Sequence, residues 1–199
     1  LLIMERYGYR EETYYTFSYS PVPNDQGGAG GIICANTDDT QRIIGERRVT
    51  LLRELASRTG DARTWQEACR FSAEGLSSNP FDICFALIYV LNEQRTALEL
   101  ASALHLEPGD PAAPAVLPLD GQGIWPVDEA MRSHEVQLVR NLNRLSANLP
   151  RGAWNEPPDT AAVLPLAPSG STGRAGAVIV GLNPHRPAGD SYVGFLKLI

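Results

Sequence analysis

The stretch that decides the fold is AAVLPLAPSGSTGRAGAVIVGLNP, at residues 161–184. It predicts a strand, a turn rich in Pro, Gly and Ser, and a second strand in which small residues alternate with larger apolar ones. Just after it, Asp190 is a favoured helix N-cap residue. Apolar residues then follow at the i, i+3, i+4 and i+7 spacing of a helix, at Tyr192, Phe195, Leu196 and Ile199. The sequence therefore predicts an ending of strand, strand and helix. Because its last residues are apolar, we expect this chain to be one module of a longer polypeptide.

The composition is that of an ordinary globular domain, with 43% hydrophobic and 20% charged residues. Because 23 acidic residues outnumber 17 basic ones, nucleic acid is not an expected partner. The longest apolar run, at residues 83–91, is far shorter than the roughly 20 residues that span a bilayer, so no membrane partner is expected. The 3 cysteines lack the spacing of a zinc site or a disulfide framework. We therefore predict a cytoplasmic protein without a cofactor.

The first part of the chain is predicted to form two strands and a long helix. The strands are EETYYTFSY at residues 11–19 and GIICAN at residues 31–36, separated by the turn sequence NDQGG. The helix covers residues 37–59 and carries an apolar stripe, with arginines on its other faces. Two interpretations stay open. The helix has an ordinary solvated face, or it is a connector that pairs with a second copy of itself, since an apolar stripe on a linker has no core to cover.

The middle of the chain is predicted to contain a central strand. A helix begins at the capping box TWQE, residues 64–67. The run ICFALIYVL at residues 83–91 is apolar on both faces, which indicates a strand covered on both faces, and residues 97–106 return as its hairpin partner. A short helix is predicted over residues 127–133 and a short strand over residues 136–142. The remainder of residues 106–161 has little regular structure, which is typical of a functional segment.

This order of elements, on these residues, resembles a GAF domain. The similarity lies in FDICFALIYVLNEQ for the central strand, DEAMRSHEVQLVRNL for the helix-to-strand step, the closing hairpin quoted above, and DSYVGFLKLI for the last helix. Residues 1–38 resemble the last strands of a PAS domain. NTDDTQR stands where that family often has an Asp-Ile-Thr sequence before a connector helix, although this chain lacks the Ile.

The resemblance implies an α+β fold with a GAF-like central antiparallel sheet. Helices would cover one face of this sheet, and loops and short helices the other. Residues 1–38 would be the C-terminal remnant of a PAS-like domain containing a β-hairpin, residues 39–60 a connector (signalling) helix, and residues 61–199 the GAF domain.

The pairing of PAS, connector helix and GAF is typical of bacterial sensor histidine kinases and related regulators. It implies a sensory or regulatory module of a two-component signal-transduction protein. We expect a fragment that is not an enzyme, that binds a small molecule or a partner, and that relays the signal through its terminal helices to missing PAS and kinase domains. We also expect a homodimer through the connector helices. Two alternatives stay open: a ligand-free dimerisation or spacer domain, and a small-molecule enzyme.

The residues that carry chemistry in such families do not match here. The only lysine, Lys197, cannot complete the cyclic-nucleotide signature of some GAF members, and Cys84 lies inside the central strand, where bilin attachment is not expected. The paired loop cysteines of the methionine sulfoxide-reducing members are absent. His134 superficially resembles a kinase phosphoacceptor but precedes a strand, while His105 and His185 lack further ligands or catalytic partners. We therefore predict no catalytic or metal-ligating residue.

The remaining candidate is a pocket between the sheet and the irregular segment. Its wall on the central strand is either the set that contains Tyr89 or the alternate set that contains Ile88. Tyr89 is the better lining residue because it offers a ring and a hydroxyl. The two tryptophans near the loops have an alternative role as core aromatics that pin those loops to the sheet. The predicted ligand-binding residues are Phe85, Leu87, Tyr89, Trp125, Arg140, Asn141 and Trp154.

Overall fold

Ten strands and four α-helices form in the computed structural model, which describes residues 1–146, 148–168 and 174–199. The chain divides into two compact units, Leu1–Arg47 and Arg48–Ile199. The strands are β1 (Leu2–Arg6), β2 (Tyr9–Thr13), β3 (Tyr15–Pro23), β4 (Ala29–Asp38), β5 (Ile83–Leu91), β6 (Ala97–Leu104), β7 (Val116–Pro118), β8 (Gln137–Arg140), β9 (Thr160–Leu166) and β10 (Gly176–Leu182). The helices are α1 (Thr40–Thr59), α2 (Trp65–Leu76), α3 (Val127–Ser133) and α4 (Asp190–Leu196), with a 3₁₀ helix at Leu142–Arg144. Part of the predicted turn between β9 and β10, residues 169–173, lies outside the described residues.

The first unit contains two separate two-stranded antiparallel sheets, β1 with β2 and β3 with β4. The sequence predicts one strand over residues 11–19, but the structure has two strands there, which meet at Tyr14. The β1–β2 pair goes beyond the prediction, because LIMER and YREET are rich in charged residues that strands disfavour. Its hairpin signal is the tight turn at Tyr7 and Gly8, where both residues have positive φ.

A buried ion pair joins β2 to the start of α1 within this unit. The Glu12 side chain is fully buried, pairs with Arg47, and accepts a hydrogen bond of 2.8 Å from the Tyr14 hydroxyl. Burial and this carboxylate raise the pKa of Tyr14 to about 12. The hydroxyl therefore stays protonated and keeps donating at physiological pH.

The second unit is built on a six-stranded sheet with the order β7-β6-β5-β10-β9-β8, and every neighbouring pair is antiparallel. All nine residues of β5 are buried between β6 and β10, which confirms the predicted central strand. The capping box at α2 is also confirmed, since the Thr64 hydroxyl accepts a hydrogen bond of 3.2 Å from the Glu67 amide. The α+β class is therefore the one that the sequence predicts.

One sheet face, which we call the helix-covered face, carries a cluster of buried apolar side chains. Ala86 and Ile88 of β5 and Val178 and Val180 of β10 pack there with residues from three helices. The helical residues of the cluster are Leu51, Leu55, Ala73, Leu76, Tyr192, Phe195 and Leu196. The apolar stripe of α1 therefore has a core to cover, which removes the reason that the sequence analysis gave for a pairing connector. A stripe shows which side of a helix is buried, but it does not show what buries it.

Helix α4 begins one residue earlier than the sequence predicts. Gly189 is the N-cap, and Asp190 lies in the first turn, where its negative charge interacts favourably with the positive end of the helix dipole. Among the described residues, no helix is long and apolar enough to cross a membrane.

Candidate functional site

The opposite sheet face is covered by the largely irregular chain between β6 and β9, described at every position except 147. We call residues 105–159 the covering segment and this side of the sheet the segment-covered face. Phe85, Leu87 and Tyr89 are fully buried and lie outside the helix-covered cluster. Because side chains alternate along a strand, these three residues point to the segment-covered face. Phe85 lies against Gly181 of the neighbouring strand, where a Cβ would collide with the ring. Gly181 therefore leaves the space that the Phe85 ring occupies.

Two aromatic side chains fix the middle of the covering segment. The Tyr89 hydroxyl donates a hydrogen bond of 2.8 Å to the Pro114 carbonyl. The Trp125 indole donates one of 2.9 Å to the Ala112 carbonyl. Both acceptors belong to an irregular stretch whose carbonyls have no regular secondary structure to pair with. Burial raises the pKa of Tyr89 well above its usual range, so its hydroxyl remains a donor.

Trp154 fixes the other end of the covering segment at the start of β5. Its indole donates a hydrogen bond of 2.9 Å to the Phe81 carbonyl, and its ring meets Phe81 and His185 edge-on at 5.3 and 5.0 Å between centroids. Two residues earlier, Gly152 has a φ of 59°, and a Cβ there would collide with the Pro80 carbonyl. The segment thus reaches the sheet through backbone-to-backbone contact that only glycine permits.

Arg140 and Asn141 do not join the other predicted site residues. Both are exposed, at the end of the edge strand β8. Asn141 has a φ of 60°, a left-handed conformation that Asn tolerates better than most residues, and it leads into the 3₁₀ helix. Phe85, Leu87 and Tyr89 share one face of β5, and Trp125 and Trp154 are buried as well, whereas Arg140 and Asn141 are exposed.

Open space lies elsewhere in the described part of the molecule. A groove of about 440 Å³ runs between the start of α2 and the β5–β6 hairpin, lined by Trp65, Glu93, Glu99 and Arg174 among others. A smaller groove of about 290 Å³ lies beside the end of α4, with apolar walls that include Leu164 and Leu196. Neither groove is lined by any of the seven predicted site residues. Phe85, Leu87 and Tyr89 are fully buried, so the segment-covered face is closed at these residues in this conformation.

The histidines and the buried cysteine are placed as structural residues. His105 and His134 are exposed and have positive φ, and His105 Nδ1 lies 3.0 Å from the Cys84 carbonyl oxygen. His185 is buried against Trp154. Burial raises the pKa of the Cys84 thiol to about 12, which keeps it protonated and a poor nucleophile. Within residues 1–146, 148–168 and 174–199, no group of three or more His, Cys, Asp and Glu side chains is arranged to hold a metal.

Sequence reasoning missed a buried polar cluster at the start of β5. It consists of Arg48 of α1, Asn79 and Asp82 of the turn before β5, Asn183 after β10, and Tyr192 of α4. The sequence pattern assigned Arg48 to the solvated arginines of its helix and Tyr192 to an apolar face. An arginine spaced with the apolar stripe, four residues after Ile44 and three before Leu51, was the available signal.

No protein-family model and no curated protein matches this sequence. Solved structures do match its fold. A GAF sensor protein from Burkholderia vietnamiensis, described as putative, has 17% identity and a TM-score of 0.54, over 77% of this chain and 89% of that one. The GAF domain of a phosphoenolpyruvate-protein phosphotransferase from Acinetobacter has 13% identity and a TM-score of 0.53, over 75% and 86%. Free methionine-R-sulfoxide reductase from Neisseria meningitidis, in complex with its substrate, has 19% identity and a TM-score of 0.51, over 75% and 81%.

These likenesses show the fold and correct one prediction. The chain has a GAF-like fold, an antiparallel six-stranded sheet with α-helices, as the resemblance in the sequence implies. The prediction that the chain is not an enzyme is wrong as an inference from that fold, because a reductase has the same fold. The similarity to solved structures does not extend the assignment to a PAS domain or a histidine kinase.

Proposed function

We propose that this chain is a sensory or regulatory GAF module of a cytoplasmic bacterial signal-transduction protein. The observation that carries the proposal is the position of α1 and α4, the first and last helices of the second unit. Both contribute to one core on the helix-covered face, so a shift in that core acts on both ends of the domain at once. Proteins with this fold include one named as a GAF sensor, which is in keeping with the proposal.

In this proposal a small molecule acts at the segment-covered face. The aromatic layer of Phe85, Tyr89 and Trp125 offers rings with hydroxyl and indole groups, which is the composition of small-molecule sites. Because these residues are buried, the ligand must displace part of the covering segment to reach them. A ligand shifts the equilibrium only as far as it binds the displaced state better than the closed one.

Mass spectrometry of the purified protein, native against denatured, tests this step. An additional mass that disappears on denaturation identifies a retained ligand. A panel of metabolites is then added while amide exchange is followed in the covering segment and in α1 and α4. We expect a binding compound to change exchange in the covering segment and in both helices. A compound that binds tightly and changes neither helix contradicts the relay.

The output we propose is a sensor histidine kinase, with the first unit as the end of a PAS domain and α1 as the connector. Unit Leu1–Arg47 contributes two hairpins and the first part of that helix. The coding sequence on either side provides the test. A phosphoacceptor box and an ATP-lid motif downstream support a kinase, whereas a phosphatase domain there assigns the module to another kind of regulator.

We also propose that the chain forms a homodimer through α1. Leu51 and Leu55 are used by the core, so pairing must involve the exposed side of the helix, where Val49 is 46% exposed. Sedimentation should show a dimer that Val49→Glu weakens. Ser57→Glu, at another exposed position of the same helix, is the control for added charge. A monomer at high protein concentration contradicts this part of the proposal.

A spacer that has no ligand is the second candidate, and one observation favours it. Phe85, Leu87 and Tyr89 are each 0% exposed, so the face where a ligand is proposed is already closed to solvent without one. If no metabolite in the panel changes thermal stability or exchange and the protein is a dimer, the spacer function is the better account.

A further inference from the structure

Arg48 of α1, the first helix of the second unit, packs against two aromatic rings of α4, the last helix. The Arg48 guanidinium carbon is 4.5 Å from the centre of the Tyr192 ring and 4.6 Å from that of Phe195, both on α4. These distances are within the range of cation–π attraction, which strengthens when the cation is removed from water. Arg48 itself is 9% exposed and the two rings are 2% and 6% exposed. The contact between α1 and α4 therefore includes a desolvated charge.

The same guanidinium is paired with a buried carboxylate on a third element. Arg48 donates a hydrogen bond of 3.3 Å to Asp82 Oδ1, in the turn before β5, and Asp82 is 0% exposed. Asn79 donates one of 2.9 Å to the other carboxylate oxygen. The Tyr192 hydroxyl donates one of 2.5 Å to the Asp82 backbone carbonyl and accepts one of 3.1 Å from the Asn183 amide. Four separate parts of the chain thus meet at this cluster.

A buried ion pair of this kind is a poor way to gain stability alone. Desolvation of two charges offsets most of their attraction, and an apolar residue of similar volume often packs equally well. Arg48 Nε has no hydrogen-bond partner among the described residues, so the guanidinium is not fully satisfied even here. Removal of one partner, by contrast, leaves an uncompensated buried charge. The cluster therefore penalises displaced arrangements of the helices far more than it rewards the observed one.

The penalty depends on the register of the two helices. A slide of α1 by one turn moves Arg48 about 5.4 Å, which removes it from both rings and from Asp82 together. The aliphatic contacts of Leu51 and Leu55 are not directional, so they can be replaced by other apolar neighbours after such a slide. The contacts of Arg48, in contrast, have strict geometry.

We propose that Arg48 is a positioning residue that sets the register of α1 against α4, and that it couples movement of either helix to the other through Asp82 and Tyr192. This inference rests on the proposed relay function and names the side chain through which the relay passes. If α4 moves, the rings of Tyr192 and Phe195 no longer lie against the Arg48 guanidinium. A displaced α1 leaves Asp82 buried without its cation.

Amide exchange of the intact chain without ligand tests the proposal. In Arg48→Met, we expect exchange at residues 193–197 of the α4 region to accelerate by about tenfold or more relative to the centres of β9 and β10. Arg48→Lys, which keeps the charge but loses the planar group, should give a smaller acceleration. Arg53→Met is the matched control, because it removes an exposed guanidinium from the same helix. Coupling is reciprocal, so Phe195→Leu should accelerate exchange in residues 49–59 of α1.

Two outcomes overturn the proposal. In the first, α4 exchange in Arg48→Met accelerates by no more than that of the centres of β9 and β10, which is the result of general destabilisation. In the second, Phe195→Leu leaves α1 exchange unchanged. If Arg48→Met does not fold, Arg48→Lys and Phe195→Leu decide the question. The exchange test uses no ligand, so a failed metabolite panel counts only against the proposed sensory function. If the panel does find a ligand, a response of full size in Arg48→Lys counts only against the positioning role.

Discussion

The two faces of the six-stranded sheet are covered by different means. The helix-covered face meets apolar side chains of α1, α2 and α4, whose backbone groups are paired within each helix. The segment-covered face meets an irregular segment, and aromatic residues donate hydrogen bonds to the carbonyls of Pro114, Ala112 and Phe81, which lie outside helices and strands. Regular structure can be packed with apolar area alone, whereas irregular chain needs a donor at each anchoring point. The segment-covered face is therefore the one where a few local contacts control opening.

Trp125→Ala should destabilise the protein more than any of the changes that follow. It removes a ring that is 1% exposed and also the donor for the Ala112 carbonyl. We expect the free energy of unfolding to fall by about 3–5 kcal/mol, measured by chemical denaturation. Ile124→Ala, at a neighbouring residue that is 40% exposed, is the control. A loss under about 1 kcal/mol would show that Trp125 is not an anchor of the segment.

Leu51→Ala should be the largest single loss on the helix-covered face, at about 3 kcal/mol. Leu51 is fully buried in the apolar cluster, so truncation leaves a cavity between α1 and the sheet. Ser57→Ala on the exposed side of the same helix is the control. The comparison predicts different patterns of amide exchange. Leu51→Ala should accelerate exchange throughout the second unit, whereas Trp125→Ala should act first on the covering segment. Identical patterns would break the distinction between the two faces.

Tyr89→Phe isolates one hydrogen bond of the segment-covered face. The change keeps the ring but leaves the Pro114 carbonyl without the Tyr89 donor, which should cost about 1 kcal/mol. Amide exchange should accelerate at residues 112–115 before the rest of the sheet responds. Tyr7→Phe, at a residue that is 87% exposed, should change nothing. Unchanged exchange at residues 112–115 in Tyr89→Phe would mean that this hydrogen bond does not hold the segment.

Ionisation of Cys84 should leave the free energy of unfolding unchanged at neutral pH and lower it in alkali. Burial raises its pKa from 9.0 to about 12, so the folded protein holds this proton more tightly than the unfolded chain. The resulting contribution is complete below pH 9 and is lost as pH rises from 9 towards 12. Cys84→Ser should reduce this alkaline loss when unfolding is measured as a function of pH. Iodoacetamide at pH 8 should label the exposed Cys34 and reach Cys84 only in denaturant, and rapid labelling of Cys84 in the native protein would contradict its burial.

Most strands and helices of the second unit could be predicted from the sequence, but only part of the candidate site could. Alternation along β5 places Phe85 and Tyr89 on one face and Ile88 on the other, because the two-residue period of a strand is local information. The same local reasoning assigned side-chain roles to Arg140 and Asn141, where the left-handed backbone of Asn141 turns the chain into a 3₁₀ helix instead. The pairing of Arg48 with Asp82 joins residues far apart in the sequence. No spacing rule contains such a pair, since only the packed helices bring it together.

Trp125 and Trp154, which are predicted to bind ligand, show what a single sequence cannot decide. Their size predicts burial, and both are buried. The choice between lining a pocket and pinning a loop depends on whether space remains around them, which is a property of the packed state. The indole hydrogen bonds to Ala112 and Phe81 favour the pinning role in the closed conformation.

Gly152 is a position where a small substitution should separate the covering segment from the chain before β5. Its missing Cβ lets the covering segment lie directly on the backbone before β5, so one methyl group would pry this end away without altering any aromatic side chain. Gly152→Ala should therefore yield a folded protein with a partly unsealed face, detectable as increased binding of an apolar dye, whereas Gly189→Ala, where a Cβ meets open space, should not. Such a variant would be useful for compound screening, since it exposes aromatic side chains that are buried in the native chain.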